Sequence, residues 1–157
     1  LKSGTEKWNT EHKNNKYFRA NLRNVNFVSE FGGPGLYDLP EFNGVDFSNS
    51  DMNMASLRNC IFCNCNFDDA KLTYSDLVNA YFLNCTFRCT SMRVSRIGDA
   101  KFENCIFENN KSSKSGCGIS NESGHVKIEN ALFKNNGWFS IIYNNITCDN
   151  TFFNVFS

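Results

Sequence analysis

From Phe42 to Phe107 every fifth residue is large and apolar without a break: Phe42, Phe47, Met52, Leu57, Phe62, Phe67, Leu72, Leu77, Phe82, Phe87, Met92, Ile97, Phe102 and Phe107. A helix would repeat its apolar positions at three and four, and a strand at two, so neither regular element explains the run. Two places before nearly every large residue stands a small one: Val45, Ser50, Ala55, Cys60, Cys65, Ala70, Ser75, Ala80, Cys85, Thr90, Ser95, Ala100 and Cys105. The unit is therefore small-x-large-x-x, with two positions turned to a core and three turned away.

A longer period lies within the first. Taking every twentieth residue sorts the large positions into Phe42, Phe62, Phe82, Phe102, then Phe47, Phe67, Phe87, Phe107, then Met52, Leu72, Met92, then Leu57, Leu77, Ile97. Two columns are phenylalanine throughout and two are aliphatic. Four five-residue sides making a square coil would produce this sorting, because each coil stacks in register on the last at about 4.8 Å.

At this level of detail the chain resembles the pentapeptide-repeat proteins, whose unit reads small, Asp or Asn, Leu or Phe, polar, then a turn residue. Val45-Asp46-Phe47-Ser48-Asn49, Ser50-Asp51-Met52-Asn53-Met54, Ala70-Lys71-Leu72-Thr73-Tyr74 and Ser75-Asp76-Leu77-Val78-Asn79 are good copies. The resemblance implies an all-β fold, a right-handed quadrilateral parallel β-helix, over residues 20–110 most strongly and over 20–157 more loosely. Residues 1–19, polar and rich in Lys and Asn, read as a leader or cap.

The ends follow the same frame with interruptions. Ala20-Asn21-Leu22 and Val25-Asn26-Phe27 share the frame of Phe42, so a first coil is expected to begin there, with GGPGLYDLPE (loop at about 32–40) bulging on two of its sides. Downstream, the block around Phe107 recurs around Phe133, 26 residues later. The six extra residues are assigned to the Ser/Gly-rich stretch at 110–124. The frame then resumes at Ile128, Phe133, Trp138, Tyr143, Cys148 and Phe153.

Cysteine is the first candidate for chemistry, since NCIFCNCNF brings three together. Cys60, Cys65, Cys85 and Cys105 fall on small inward positions, where a thiol packs as a compact hydrophobe. A zinc site is the competing reading, but it needs four converging ligands; a column on a flat wall points its sulfurs in parallel, and Cys63 faces outward. Disulfides along the column are disfavoured, because stacked Cβ atoms lie near 4.8 Å and a bridge wants about 3.8 Å. Asn64, Asn84 and Asn104 share one corner, and Asn59, Asn79 and Asp99 another, as turn residues and amide ladders. The acceptor-like triplets at Asn84, Asn110 and Asn145 are discounted as glycosylation sites, because free cysteines suit a reducing compartment.

Composition narrows the function further. The 157 residues carry 16 basic and 16 acidic side chains, which gives no general attraction to nucleic acid or to an anionic membrane, and no run is long enough to span a bilayer. Catalysis has little to work with: only His12 and His125 are present, and Cys117 near His125 is the one candidate nucleophile, without a third group. No metal and no cofactor are expected. The outward residues Ile61, Cys63, Tyr81 and Leu83 are adjacent across two coils and form the expected partner-binding wall.

The resemblance then offers two settings. Some members mimic duplex DNA and bind DNA gyrase, which requires a markedly negative surface; this chain is neutral, which makes that the alternative. Others are recognition domains of bacterial secreted effectors, one group carrying a HECT-like ubiquitin ligase. The expectation is a non-catalytic protein-recognition module acting on host proteins in the host cytosol, with the bacterial cytoplasm as the alternative location. The start without Met suggests a piece of a longer chain, and a coil end is expected to be covered by a second copy or an adjacent domain.

Overall fold

The computed structural model describes residues 5–14, 20–31, 39–110, 119–120, 124–136, 141–142, 146–149 and 152–154. Over the central stretch the five-residue frame closes into a four-sided parallel coil. Wall A, the Phe42 column, is a six-stranded parallel sheet: Glu41–Asn43, Ile61–Cys63, Tyr81–Leu83, Lys101–Glu103, Val126–Glu129 and Ile146–Asp149. Wall B, the Phe47 column, contains Thr86–Arg88, Ile106–Glu108, Leu132–Lys134 and Phe152–Asn154, with single bridges at Asp46 and Asn66 below them. Walls C and D, the Met52 and Leu57 columns, are joined by single parallel bridges, Asp51 to Lys71 to Ser91 and Ser56 to Asp76 to Arg96.

Register explains the sorted columns. Phe62 pairs with Phe82 and Phe82 with Phe102, so identical rings lie above one another with centroids 5.0 and 4.9 Å apart and planes within 8°. Neighbouring columns meet edge to face, as between Phe62 and Phe67 at 5.3 Å and 79°. Both geometries suit the ring quadrupole, so two Phe walls fill one corner of the square while Met and Leu fill the rest. All four columns are buried, as are the small positions between them.

Two interruptions fix the ends. At the first coil Asn21 pairs with Asp51 and Asn26 with Ser56, thirty residues on rather than twenty. Leu22 and Phe27 share the five-residue frame of Phe42, as expected, and lie against walls C and D. A frame of five identifies an inward residue but not its wall when an insertion intervenes. The chain continues from Phe27 into helix α2, Phe27–Phe31, which packs Phe31 on Phe42 at 5.7 Å, and wall A begins at Glu41. Most of the expected Gly/Pro loop, residues 32–38, lies outside the described residues.

At the second interruption the offset is the 26 residues read from the sequence: Phe102 pairs with Ile128 and Phe107 with Phe133. The offset returns to 20 where Cys148 pairs with Ile128 and Phe153 with Phe133. The inserted chain rejoins at Gly124, whose φ of +83° and packing against Gly98, where an added Cβ would come within 2.8 Å of the Gly98 Cα, leave room for glycine alone. Asn110 and Asn136, buried at successive small positions, bond the backbone where the insertion leaves: the Asn110 and Asn136 Nδ2 atoms donate to Phe87 O at 2.9 Å and Phe107 O at 2.8 Å. Residues 111–118, with Cys117, lie outside the described residues.

The polar leader contains helix α1, Thr5–Asn14, which lies over the open first rung of walls A and B. Asn9 acts there as a substitute strand: its Nδ2 donates to Gly44 O at 2.6 Å and its Oδ1 accepts from Asp46 N at 2.9 Å. Trp8 donates from Nε1 to Asp46 O at 2.6 Å and lays its ring 6.2 Å from Phe47.

Candidate recognition surface

With large and small positions committed to the core, chemistry is left to the outward three of each five. The second position of the repeat is Asp or Asn so often because its side chain accepts from the backbone N–H two residues on: Ser48 to Asp46, Asn53 to Asp51, Asp68 to Asn66 and Val78 to Asp76, at 2.9 to 3.2 Å. On several walls the third residue of one unit and the first of the next close a β-turn, as where Ala55 N donates to Met52 O at 3.1 Å. Among the described residues the non-glycine corner positions are left-handed, with φ from +50 to +60°, and Gly44 has +65°. Asparagine at these corners also forms the expected ladders: Asn104 donates to Asn84, Asn84 to Asn64, and Asn79 to Asn59.

The cysteines are part of the core. Cys60, Cys65, Cys85 and Cys105 are buried free thiols, and the Sγ atoms of Cys65, Cys85 and Cys105 each donate to a backbone carbonyl, Phe42, Phe62 and Phe82, at 3.3 to 3.4 Å. Burial pushes the Cys60 thiol up to about 12. Cys65 and Cys85 are raised by bonding to the thiol above each and by burial. Protonated thiols at neutral pH are poor nucleophiles and poor metal ligands. Among the described residues no group of three or more His, Cys, Asp or Glu is placed to hold a metal ion.

The four wall residues singled out from the sequence are brought together. Ile61 pairs with Tyr81 and Cys63 with Leu83, all four outward and half-buried. Tyr81 is already engaged: its hydroxyl donates to Glu103 Oε2 at 2.8 Å and Lys101 Nζ lies 5.1 Å from its ring centre. Above this patch Lys101, Glu103, Lys127 and Glu129 form an ion-pair lattice with contacts of 2.8 to 3.0 Å. These cations hold the carboxyls of Glu103 and Glu129 below the usual range. On wall B, Arg88 bridges Asp68 and Glu108, at 3.1 and 3.2 Å, so opposite charges alternate up that wall as well.

The family model for pentapeptide repeats matches eight copies, over residues 41–73 and 65–109, the span in which the four walls are complete. Residues 41–109 are pentapeptide repeats. The fold is accordingly the right-handed quadrilateral β-helix of that family. No curated protein matches the chain. Solved structures that resemble it include a pentapeptide repeat protein from the Arabidopsis thaliana thylakoid lumen, 15% identical over 76% of this chain and 68% of that one, with a TM-score of 0.33. Another is a variant of QnrB1, a plasmid-mediated fluoroquinolone resistance protein, 15% identical over 85% of this chain and 84% of that one, TM-score 0.40. A third is the pentapeptide repeat protein Rfr23 from the cyanobacterium Cyanothece 51142, 13% identical over 94% and 98%, TM-score 0.29. At such scores these likenesses carry no argument about what the chain does.

Among the described residues sixteen non-glycine residues have positive φ, and all but Met54, Tyr74, Cys89 and Val94 are Asn or Asp. Met54, Tyr74 and Val94 form a single column at the corner between walls C and D, 51%, 59% and 45% exposed. The signal is present in the sequence, as the fifth position of three units twenty residues apart. It emerges only when that position is compared from corner to corner.

Proposed function

We propose that the array is a non-catalytic protein-recognition scaffold, and that the wall of Ile61, Cys63, Tyr81 and Leu83 contacts a protein partner. The observation that carries this reading is the pairing of four apolar side chains on adjacent outward rungs, between the polar Glu41 and Asn43 below and the charged Lys101 and Glu103 above. An apolar centre with a polar rim suits protein association. The solid core supports it as well, because every large side chain of the square is spent on packing against its own column. Among the described residues no helix is long and apolar enough to cross a membrane.

The effector setting, with host proteins as partners and a ubiquitin ligase attached, rests on the family resemblance. The gyrase-binding alternative requires a strongly acidic wall, and the alternation of Arg88 with Asp68 and Glu108, and of Lys101 with Glu103 and Glu129, weighs against it. The test is capture from eukaryotic cytosol and from bacterial lysate in parallel, with Tyr81→Asp and Leu83→Asp as controls. Specific retention of one protein set, lost in both folded variants, is the expected result. Unchanged retention by the variants removes this wall, and retention of gyrase from the bacterial lysate replaces the reading with the DNA mimic.

A further inference from the structure

The corner between walls C and D combines three properties found together on no other described corner. It is apolar, it is exposed, and it is conformationally costly. Backbone pairing leaves its residues no alternative to the left-handed region: Met54 N donates to Thr73 O at 3.0 Å and Tyr74 N to Arg93 O at 3.1 Å, with φ near +60° at both. Val94, at +57°, is β-branched and is the least suited of the three to this conformation. Asn occupies the corresponding positions elsewhere, so neither the coil nor its stability calls for these side chains.

The cations beside the ridge are not all paired although the whole chain is neutral. On walls C and D of the three rungs that carry it, the outward cations are Arg58, Lys71, Arg93 and Arg96, and the carboxylates are Asp51, Asp76 and Asp99, the last at the far corner of wall D, where it accepts from His125 N at 3.0 Å. Asp76 is shared by Arg58 and Arg96 at 3.1 Å each, and Asp51 is met by Arg23 at 3.5 Å. Lys71 and Arg93, both exposed, have no carboxylate partner among the described residues. Wall D separates this corner from the Ile61 and Tyr81 wall, so the two surfaces are distinct.

We propose that the Met54, Tyr74 and Val94 ridge, with Lys71 and Arg93 beside it, is a docking edge for an acidic polypeptide segment bearing apolar side chains. The uncommitted cations select for negative charge on the partner, and the aliphatic tips of Met54 and Val94 ask for apolar side chains rather than bases. A single-stranded nucleic acid would want a succession of aromatic platforms, and Tyr74 is the one aromatic of the ridge. Exposed apolar side chains kept at a conformational cost mark a surface that gains by being covered.

The experiment measures anisotropy of a labelled peptide alternating Glu with Leu and Phe, against three controls: oligo-glutamate, the same peptide with Lys for Glu, and a thymidine oligonucleotide. The wild-type chain should bind the first peptide in preference to all three, and added salt should weaken it. M54N/Y74N/V94N, which gives this corner the residue of its neighbours, should lose about tenfold or more in affinity while keeping or raising the thermal midpoint. Arg93→Glu, at an exposed side chain, should lose about tenfold as well. Absence of peptide binding, equal affinity in either variant, or preference for oligo-glutamate, the Lys peptide or the oligonucleotide overturns the proposal.

Discussion

At the scale of single residues, the array shows how few side chains tolerate a square coil. The small inward position admits Ser because its hydroxyl can find a carbonyl: Ser75 Oγ donates to Leu72 O, and Ser95 Oγ to the same oxygen. Ser50 has the position without the partner: its Oγ is buried and makes no hydrogen bond among the described residues. Ala70 occupies the next rung of that column without difficulty. An unsatisfied buried hydroxyl costs about 1–3 kcal/mol, so Ser50→Ala is expected to stabilise the chain by about 1 kcal/mol, read as a higher denaturation midpoint at unchanged slope. A lower midpoint would mean that the hydroxyl is satisfied in solution.

At the scale of elements, the coil ends decide more than the coils. A parallel sheet that stops presents unpaired N–H and C=O groups to any other strand. Helix α1 covers the first rung with the amide of Asn9 in place of a peptide group and with the Trp8 indole over Phe47. Asn9→Ala removes two hydrogen bonds and uncovers a sheet edge. Its expected cost is about 1–2 kcal/mol in chemical denaturation, with concentration-dependent association as a second readout. A variant as stable and as monodisperse as the wild type would show that Trp8 alone carries the cap.

At the scale of the whole molecule, the buried thiols link stability to pH. Cys60 has a folded value of about 12 against 9.0 for the free group, raised by burial. A raised value means that the folded state holds its proton longer than the unfolded one. The stabilisation is complete below pH 9 and is lost as pH rises toward 12. The expected slope is about 1.4 kcal/mol per pH unit for each such thiol. Cys60→Ala, a residue its column already uses at Ala80 and Ala100, should flatten the alkaline fall while leaving the profile between pH 6 and about 8 unchanged in shape. An identical alkaline slope would assign the loss to other groups.

The periods of five and twenty determined the coil, its four walls, the burial of the cysteines and the 26-residue step at Phe107, because in-register stacking makes each rung nearly a copy of the one below. Sequence also placed Ile61, Cys63, Tyr81 and Leu83 on one outward wall, since a strand that faces inward at Phe62 and Phe82 must face outward on either side. Tertiary structure decided what a period cannot express. Leu22 and Phe27 came to walls C and D through an offset of thirty, because inserted chain resets the wall without changing the frame. Tyr81 was drawn into the lattice of Lys101 and Glu103 by a contact across rungs, and Asn9 became a strand substitute through a contact 35 residues away. The Met54, Tyr74 and Val94 corner acquired its meaning only from backbone φ, since the same three letters on a strand would be an ordinary apolar alternation, while at a left-handed turn they run against the preference of the chain.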